Sequence, residues 1–384
     1  MGAECHSSNE RVGGAKATRR IELVRTGLSR PPVPEARSLI AGDQMPDLLR
    51  LDDELSLECV DERYFAAASG AWGRFLRRLP LTLAQCLEVL RLRREVEVMV
   101  SWSEAVGMPV AMALLPFSRR PAHVGIFMWV SKPKKALPLR LLWRRFDGIV
   151  IPAPEQYRFA LERLRIPSTL ASPAIPWGVD TRFWRPGNET GDMICCVGRE
   201  MRDYPTFVQA IRDLDIPCHI AAGGNQGGAN PWLNVDERDL PQGVTLGRMS
   251  HLELRQLYRR SRFVVVPLLP TDSDNGITTV LEAFAMGRAV ICSDVVGHTG
   301  LLEDDVNCLL VPPGDTAALR AAIVRLWTDE PLCRRLGSAG RALVHDNYST
   351  EHWIANIRVV TEKAIEARVR ARRGFSLHEW ASGT

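Results

Sequence analysis

Two acids eight positions apart, Asp274 and Glu282, stand in the stretch DNGITTVLEAFAMGRAV. Around the second acid the chain reads Val, Leu, Ala, Phe, Ala and Met. A glutamate on a helix surface often has a basic partner three or four positions away. Here those positions hold Thr278, Thr279, Ala285 and Met286. Spacing alone leaves two readings open: a solvated glutamate at the edge of an amphipathic helix, or a carboxylate kept for ligand hydroxyls. A carboxylate accepts two hydrogen bonds at once, which suits a ribose diol.

The neighbouring residues suit an anion. The run FVVVPLL reads as a buried strand, PTDSDNG as turn chemistry, and a helix starts near Ile277. A strand, a loop and a helix start present free backbone N–H groups, and the helix dipole favours a phosphate there. Gly276 lets the backbone come close, and Thr278 and Thr279 could add hydroxyls. Arg199 and Arg202 follow another strand, ICCVG. Isolated arginines are usually solvated loop residues. Cations are nevertheless what a departing diphosphate needs, because its negative charge grows in the transition state.

The elements that must position these residues alternate along the chain. Strands are expected at 21–27, 55–61, 97–103, 123–130 and 147–152, with helices such as LTLAQCLEVLRLRR and PEQYRFALERL between them. Residues 172–191 carry Pro, Gly and aromatics without helical period and read as a linker. The alternation then restarts at DMICCVGRE and runs through PCHIAAGG, FVVVPLL, AVICSD and NCLLVPP, followed by three helical stretches. This predicts an α/β chain of two doubly wound Rossmann-like domains facing each other across a cleft. The expected boundaries are a disordered tail over 1–19, a first domain over 20–175 and a second over 176–350. The Arg-rich helix and tail over 351–384 is expected on the first domain or on the surface.

DNGITTVLEAFAMGRAVICSD, followed by GLLEDDVNCLLVPPGD, closely resembles the donor-binding region of the retaining glycosyltransferase family 4 (glycosyl transferases group 1). IPWGVDTRFWRP resembles that family's interdomain linker, and CCVGREMRDYPTFVQAI the start of its second domain. GVTLGRMSHLELRQLYRRSRFVVVPLL matches in order, and the similarity covers roughly residues 145–350. The resemblance implies the GT-B fold, with the active site between its two domains. It implies that Glu282 holds the ribose of a nucleotide-diphosphate sugar, UDP- or GDP-linked, and that Asp274 touches the sugar. Asn275, Gly276, Ile277, Thr278 and Thr279 would wrap sugar and phosphates, with Gly198 and Met249 beside the donor. Arg199 and Arg202 would be the catalytic basic pair. The family usually has glutamate where Asp274 stands, and lysine at the second basic place.

The first domain departs from the pattern. Family members commonly carry a histidine after a first-domain strand, where this chain has Met128 or Trp129. His123, at the start of that strand, is expected to be a strand-edge surface residue. The Gly-rich opening loop is reduced to Gly27. Gly27 and Trp129 are therefore the acceptor-side candidates, and a non-standard acceptor is expected.

Other signals are weaker. Asp272-Ser273-Asp274 spells an Asp-x-Asp that could hold a divalent metal through phosphates, but Asp213-Leu214-Asp215 is another, and the motif order favours metal-independent transfer. GGNQGG (223–228) does not match a dinucleotide fingerprint. The stretch 118–146 mixes Arg and Lys with Trp, Leu and Phe, so a peripheral membrane contact is the alternative to a plain amphipathic helix. With 46% hydrophobic residues, 24% charged residues and a net charge of +4, the 384-residue chain gives no argument for a nucleic-acid partner. Nine cysteines without a Cys-x-x-Cys fit buried thiols in a cytoplasmic protein.

Three functions follow as expectations. The first is a glycosyltransferase with a small-molecule or natural-product acceptor. The second is a membrane-surface transferase acting on lipid-linked or polysaccharide acceptors, and the third an inactive nucleotide-sugar-binding scaffold. No cofactor is expected beyond the nucleotide sugar as co-substrate.

Overall fold

The computed structural model describes residues 19–24, 31–172, 177–187, 191–223, 233–298 and 300–381, with side chains as far as 371. Gly27, nearly all of the N-terminal tail and all but Gly223 of the GGNQGG loop lie outside these residues.

Among the described residues, twelve strands form two parallel six-stranded sheets. The first sheet holds β1 (Arg19–Leu23), β2 (Glu58–Val60), β3 (Val96–Trp102), β4 (Ala122–Ile126), β5 (Gly148–Val150) and β6 (Ala171–Ser172) in the order β2-β1-β3-β4-β5-β6. The second holds β7 (Met193–Val197), β8 (Cys218–Gly223), β9 (Val244–Arg248), β10 (Ser261–Val266), β11 (Ala289–Ser293) and β12 (Leu309–Val311) in the order β12-β11-β10-β7-β8-β9. Apolar runs such as VVV at 264–266 and AVIC at 289–292 are buried on both faces, as strands in a helix-covered parallel sheet must be. The strand order switches direction between β1 and β3 in one sheet and between β7 and β10 in the other, all strands remaining parallel. Ligands of such sheets bind outside the strand carboxyl ends at these switch points.

Helix Ile277–Ala285 covers one face of the second sheet and Tyr204–Ile211 and Thr316–Thr328 the other, while Glu330–Asn347 contributes Val344 to the first core and Leu332, Cys333 and Leu336 to the second. The long helix Thr350–Ala381 leaves the second domain and lies on the first sheet. Its Ile354, Ile357, Val360 and Ala364 share a core with Val98, Val124 and Val150. The segment read as a linker is ordered where described. Val179 bridges Ser349, the Asp180 carboxylate accepts from the Arg182 and Phe183 N–H groups, and Phe183 and Trp184 are buried.

Several expectations change in detail. The strand expected over 123–130 ends at Ile126, and Phe127–Ser131 turns towards the second domain. β6 and β9, and the helices Val33–Ala41, Arg50–Leu55, Glu62–Ala67, Gly70–Leu76 and Glu104–Ala113, were not anticipated. His123 is not a surface residue. β4 runs between β3 and β5, so its side chain has no exposed edge to reach. The imidazole is fully buried, with Nε2 2.7 Å from Ser101 Oγ and the ring 4.4 Å from that of Phe146. Burial and nearby Arg120 hold its pKa well below the usual value. Every described cysteine except the half-buried Cys59 is buried, and none is in a disulfide.

Candidate functional site

A cavity of about 200 Å³ opens at the carboxyl ends of β7 and β8. Val197, Ala221, Met249 and Leu254 supply its apolar lining, and Arg199, His251, Thr279 and Glu282 its polar groups. Gly198 and Gly223 let the strand ends come close. Five of the residues named from sequence thus meet: Gly198, Arg199, Met249, Thr279 and Glu282. His251 and Leu254 join them unannounced. They sit on the first turn of helix His251–Arg260, which a Ser250–Glu253 capping box starts beside the cavity.

Glu282 is not a solvated edge residue. Protein encloses its carboxylate except towards the cavity, and Oε2 accepts a 2.9 Å hydrogen bond from the fully buried Tyr258 hydroxyl. Burial pushes its pKa up to about 7, against the opposing pull of the Tyr258 hydrogen bond and the Arg202 charge. The two arginines separate. Arg199 is half-buried, lines the cavity, and has no hydrogen-bond or ion-pair partner among the described residues. Arg202 does not present its guanidinium to the cavity as expected for a phosphate ligand. It is 3% exposed and donates to Val197 O (2.9 Å), Glu200 O (2.8 Å) and Thr279 Oγ1 (3.0 Å). The loop after β7 is short, so Arg202 folds back beneath it and braces it against helix Ile277–Ala285.

The loop between β10 and that helix carries the other candidates. Gly276 precedes the helix with φ +91°, in the left-handed region that favours glycine. A Cβ there would lie 3.1 Å from Val266, 3.2 Å from Arg202 and 3.3 Å from Leu268. Thr278 is exposed, while the Ile277 side chain enters the core. Only its backbone remains near the helix start. Asn275 Oδ1 accepts from Thr271 Oγ1 at 2.7 Å, and its carbonyl accepts from His298 Nε2 at 2.8 Å. His298 was missed because nothing in its local sequence marks it. Burial pushes its pKa down to about 4, keeping it a neutral donor to the loop.

Asp274 is largely enclosed, and its Oδ2 accepts from Trp177 Nε1 at 2.7 Å. Burial raises its pKa above the ordinary carboxylate value. Asp272 faces the other way, into the first domain. Its carboxylate accepts from Trp129 Nε1 and Ser131 Oγ, each at 2.7 Å, and its carbonyl from Gln156 Nε2 at 2.8 Å. Ser273 Oγ adds a bond to Met128 O at 3.1 Å. Trp129, named as an acceptor-side candidate, therefore has its indole N–H committed to a clasp between the domains. Among the described residues, no three His, Cys, Asp or Glu side chains come together as a metal site.

The family model for Glycosyl transferases group 1 matches residues 192–329, which contain β7 to β12 and every donor-side residue above. Those residues are a glycosyl transferases group 1 domain. The chain carrying this group 1 domain is 31% identical over 135 residues to alpha-D-kanosaminyltransferase of Streptomyces kanamyceticus, covering 34% of each chain. It is 26% identical over 136 residues to O-antigen chain mannosyltransferase C of Escherichia coli, covering 35% of this chain and 36% of that one. The match thus spans about a third of the length of these curated relatives. The whole architecture is shared more widely. Anabaena HepE, solved in complex with UDP-glucose, superposes with a TM-score of 0.66 at 15% identity, over 89% of this chain and 98% of that one. Both halves, the group 1 domain and the sheet before it, have the GT-B fold.

Proposed function

We propose that the protein is a retaining glycosyltransferase that moves a sugar from a nucleotide-diphosphate sugar to a small-molecule acceptor without a divalent metal. The observation that carries this reading is the Glu282 carboxylate, enclosed at the switch-point cavity with one oxygen on Tyr258 and a face open to a ligand. Desolvating a carboxylate is unfavourable unless it is hydrogen-bonded. A ribose diol supplies the missing donors. The apolar lining suits a flat base, with UDP or GDP the expected carriers. The diphosphate then lies towards Gly276, where the Thr278 and Thr279 N–H groups of the following helix precede its first intrahelical bond, the Ile277 N–H being committed to Asp274 O at 3.1 Å.

Arg199 meets the leaving diphosphate directly. Arg202 acts from below, through its charge and by holding Thr279 and the loop after β7. Asp274 faces the sugar. The acceptor oxygen attacks the anomeric carbon on the face from which the diphosphate leaves, and the acceptor proton passes towards the departing phosphate oxygen. Domain closure excludes water from this step. The test is a panel of UDP- and GDP-sugars with nucleotide release followed, and NMR of the product's anomeric configuration. Retention in EDTA supports the reading. An inverted product, or activity that needs Mn²⁺, refutes that part of it. Binding without release from any donor favours a scaffold instead.

One observation favours a membrane-surface variant. Helix Pro133–Leu142 exposes Leu137 (64%) and Leu141 (73%) beside exposed Lys134, Arg140 and Arg144. Such a face suits an anionic headgroup layer, a lipid-linked acceptor and a peripheral place on the cytoplasmic side. Co-sedimentation with phosphatidylglycerol vesicles at low salt supports it, and absence of binding removes it.

A further inference from the structure

Trp177 lies in the segment joining the two sheets. Its indole N–H donates to Asp274, and its ring is stacked on that of Trp102, with centroids 6.2 Å apart and planes 12° from parallel. Trp102 ends β3 and donates Nε1 to Glu22 Oε2 at 3.0 Å, and Glu22 is buried in β1. Trp353, near the start of the final helix, closes the cluster at 6.0 Å from Trp177 and 5.8 Å from Trp102. The first sheet thus reaches a second-domain carboxylate through two aromatic planes and two indole donors.

Tryptophans in contact are commonly a packing device. This cluster differs because the single donor of Trp177 is aimed at a largely enclosed carboxylate. A phenylalanine would supply ring packing without that donor. The bond covers Oδ2. The other oxygen, Oδ1, takes a 3.2 Å contact from the neighbouring Ser273 Oγ. A hydrogen bond to the ionised form also favours ionisation in a site where burial opposes it.

We propose that Trp177 is a positioning residue for the donor sugar: it fixes the Asp274 carboxylate with one oxygen covered and the other turned to the sugar, and ties that orientation to the first domain through Trp102. The inference rests on the reading of Asp274 as the sugar-facing acid. It makes a separable demand, that Trp177 governs recognition of the sugar and not of the nucleotide.

The test is calorimetric titration of the full chain with UDP, UDP-glucose, GDP and GDP-mannose, for the wild type, Trp177→Phe, Asp274→Asn and the double variant. Trp177→Phe should leave free-nucleotide affinity within about twofold and weaken the bound sugar nucleotide about tenfold, as for a lost hydrogen bond to a charged group. In the Asp274→Asn background the same change should do nothing further. Independent losses in the double variant, or equal losses for nucleotide and sugar nucleotide, overturn the inference. If Asp274→Asn alone leaves sugar-nucleotide affinity unchanged, the assignment of Asp274 fails and takes the inference with it. So does a wild type that binds none of the four. Should Trp177→Phe not fold, the wild-type indole ¹⁵N–¹H resonance of Trp177 decides. It must shift in Asp274→Asn and on adding sugar nucleotide, but not on adding nucleotide alone. An unmoved resonance overturns the proposal.

Discussion

Glu282 is held in a state that suits a ligand better than it suits the free fold. Its pKa is about 7 in the folded chain against the ordinary 4.5, so the folded state binds the proton more tightly. Glu282 therefore contributes a stability that is fully present below about pH 4.5 and is lost as pH rises to about 7, opposite in sign to the contribution of the buried, neutral His123 and His298. Glu282→Gln removes the ionisation. It should stabilise the free protein by about 1–3 kcal/mol at pH 8 and leave it nearly unchanged at pH 4.5. Urea melts at the two pH values check this, and equal effects at both would contradict it. The arginines should divide by kind. Arg199→Ala should keep the unfolding free energy within about 0.5 kcal/mol and slow donor turnover about 100-fold. Arg202→Ala strips hydrogen bonds from buried carbonyls and should cost about 3 kcal/mol in stability. Melts and turnover on the same samples separate them. Sequence showed Glu282 because an acid among apolar residues without a basic neighbour is conspicuous. It could not show that Arg202 points inward, since a loop arginine's direction depends on how short the loop is. His298 was invisible for a similar reason: its partner, the Asn275 carbonyl, is set by tertiary packing.

At the scale of elements, the turn at Gly276 decides how closely a ligand approaches helix Ile277–Ala285. Gly276→Ala must adopt a left-handed backbone, which costs roughly 1–2 kcal/mol, and place a Cβ against Val266, Arg202 and Leu268. We expect a lower melting temperature together with weaker nucleotide binding, read by thermal shift with and without UDP. A melting temperature that falls while the UDP-induced shift is intact would show that the turn serves folding alone. The strands and helices of the second sheet were legible because runs such as 263–266 and 289–292 are long, apolar and bounded by turn residues. In the first half, helices Arg50–Leu55 and Glu62–Ala67 have six residues each and β6 has two, too few for a period to register. The overlong strand at 123–130 had a different cause. Phe127 and Val130 are buried and apolar, yet the chain there turns to meet the other domain.

At the scale of the whole molecule, two polar ties bear on how the domains sit together, beside the final helix and the Trp177 contact. One is the Asp272 clasp on Trp129, Ser131 and Gln156. The other is Asp43, which accepts from Arg255 and Arg185 and is held at a pKa of about 2. Asp272→Ala removes the two side-chain bonds of the clasp and keeps the Gln156 bond to its carbonyl and the Asp43 tie. Small-angle scattering should show a larger radius of gyration, and hydrolysis of the donor should rise relative to transfer as water enters. Unchanged scattering and partitioning would mean that the clasp does not govern closure. The two-domain plan was readable from the restarted strand–helix alternation. The clasp was not, because the order of residues along a chain does not say which loops of two domains will touch. The most direct test of the account is a crystal structure with UDP or GDP bound. It should place the ribose hydroxyls within hydrogen-bond distance of the Glu282 carboxylate and the diphosphate at the backbone beside Gly276. A nucleotide seated elsewhere, or a ribose with no contact to Glu282, would contradict it.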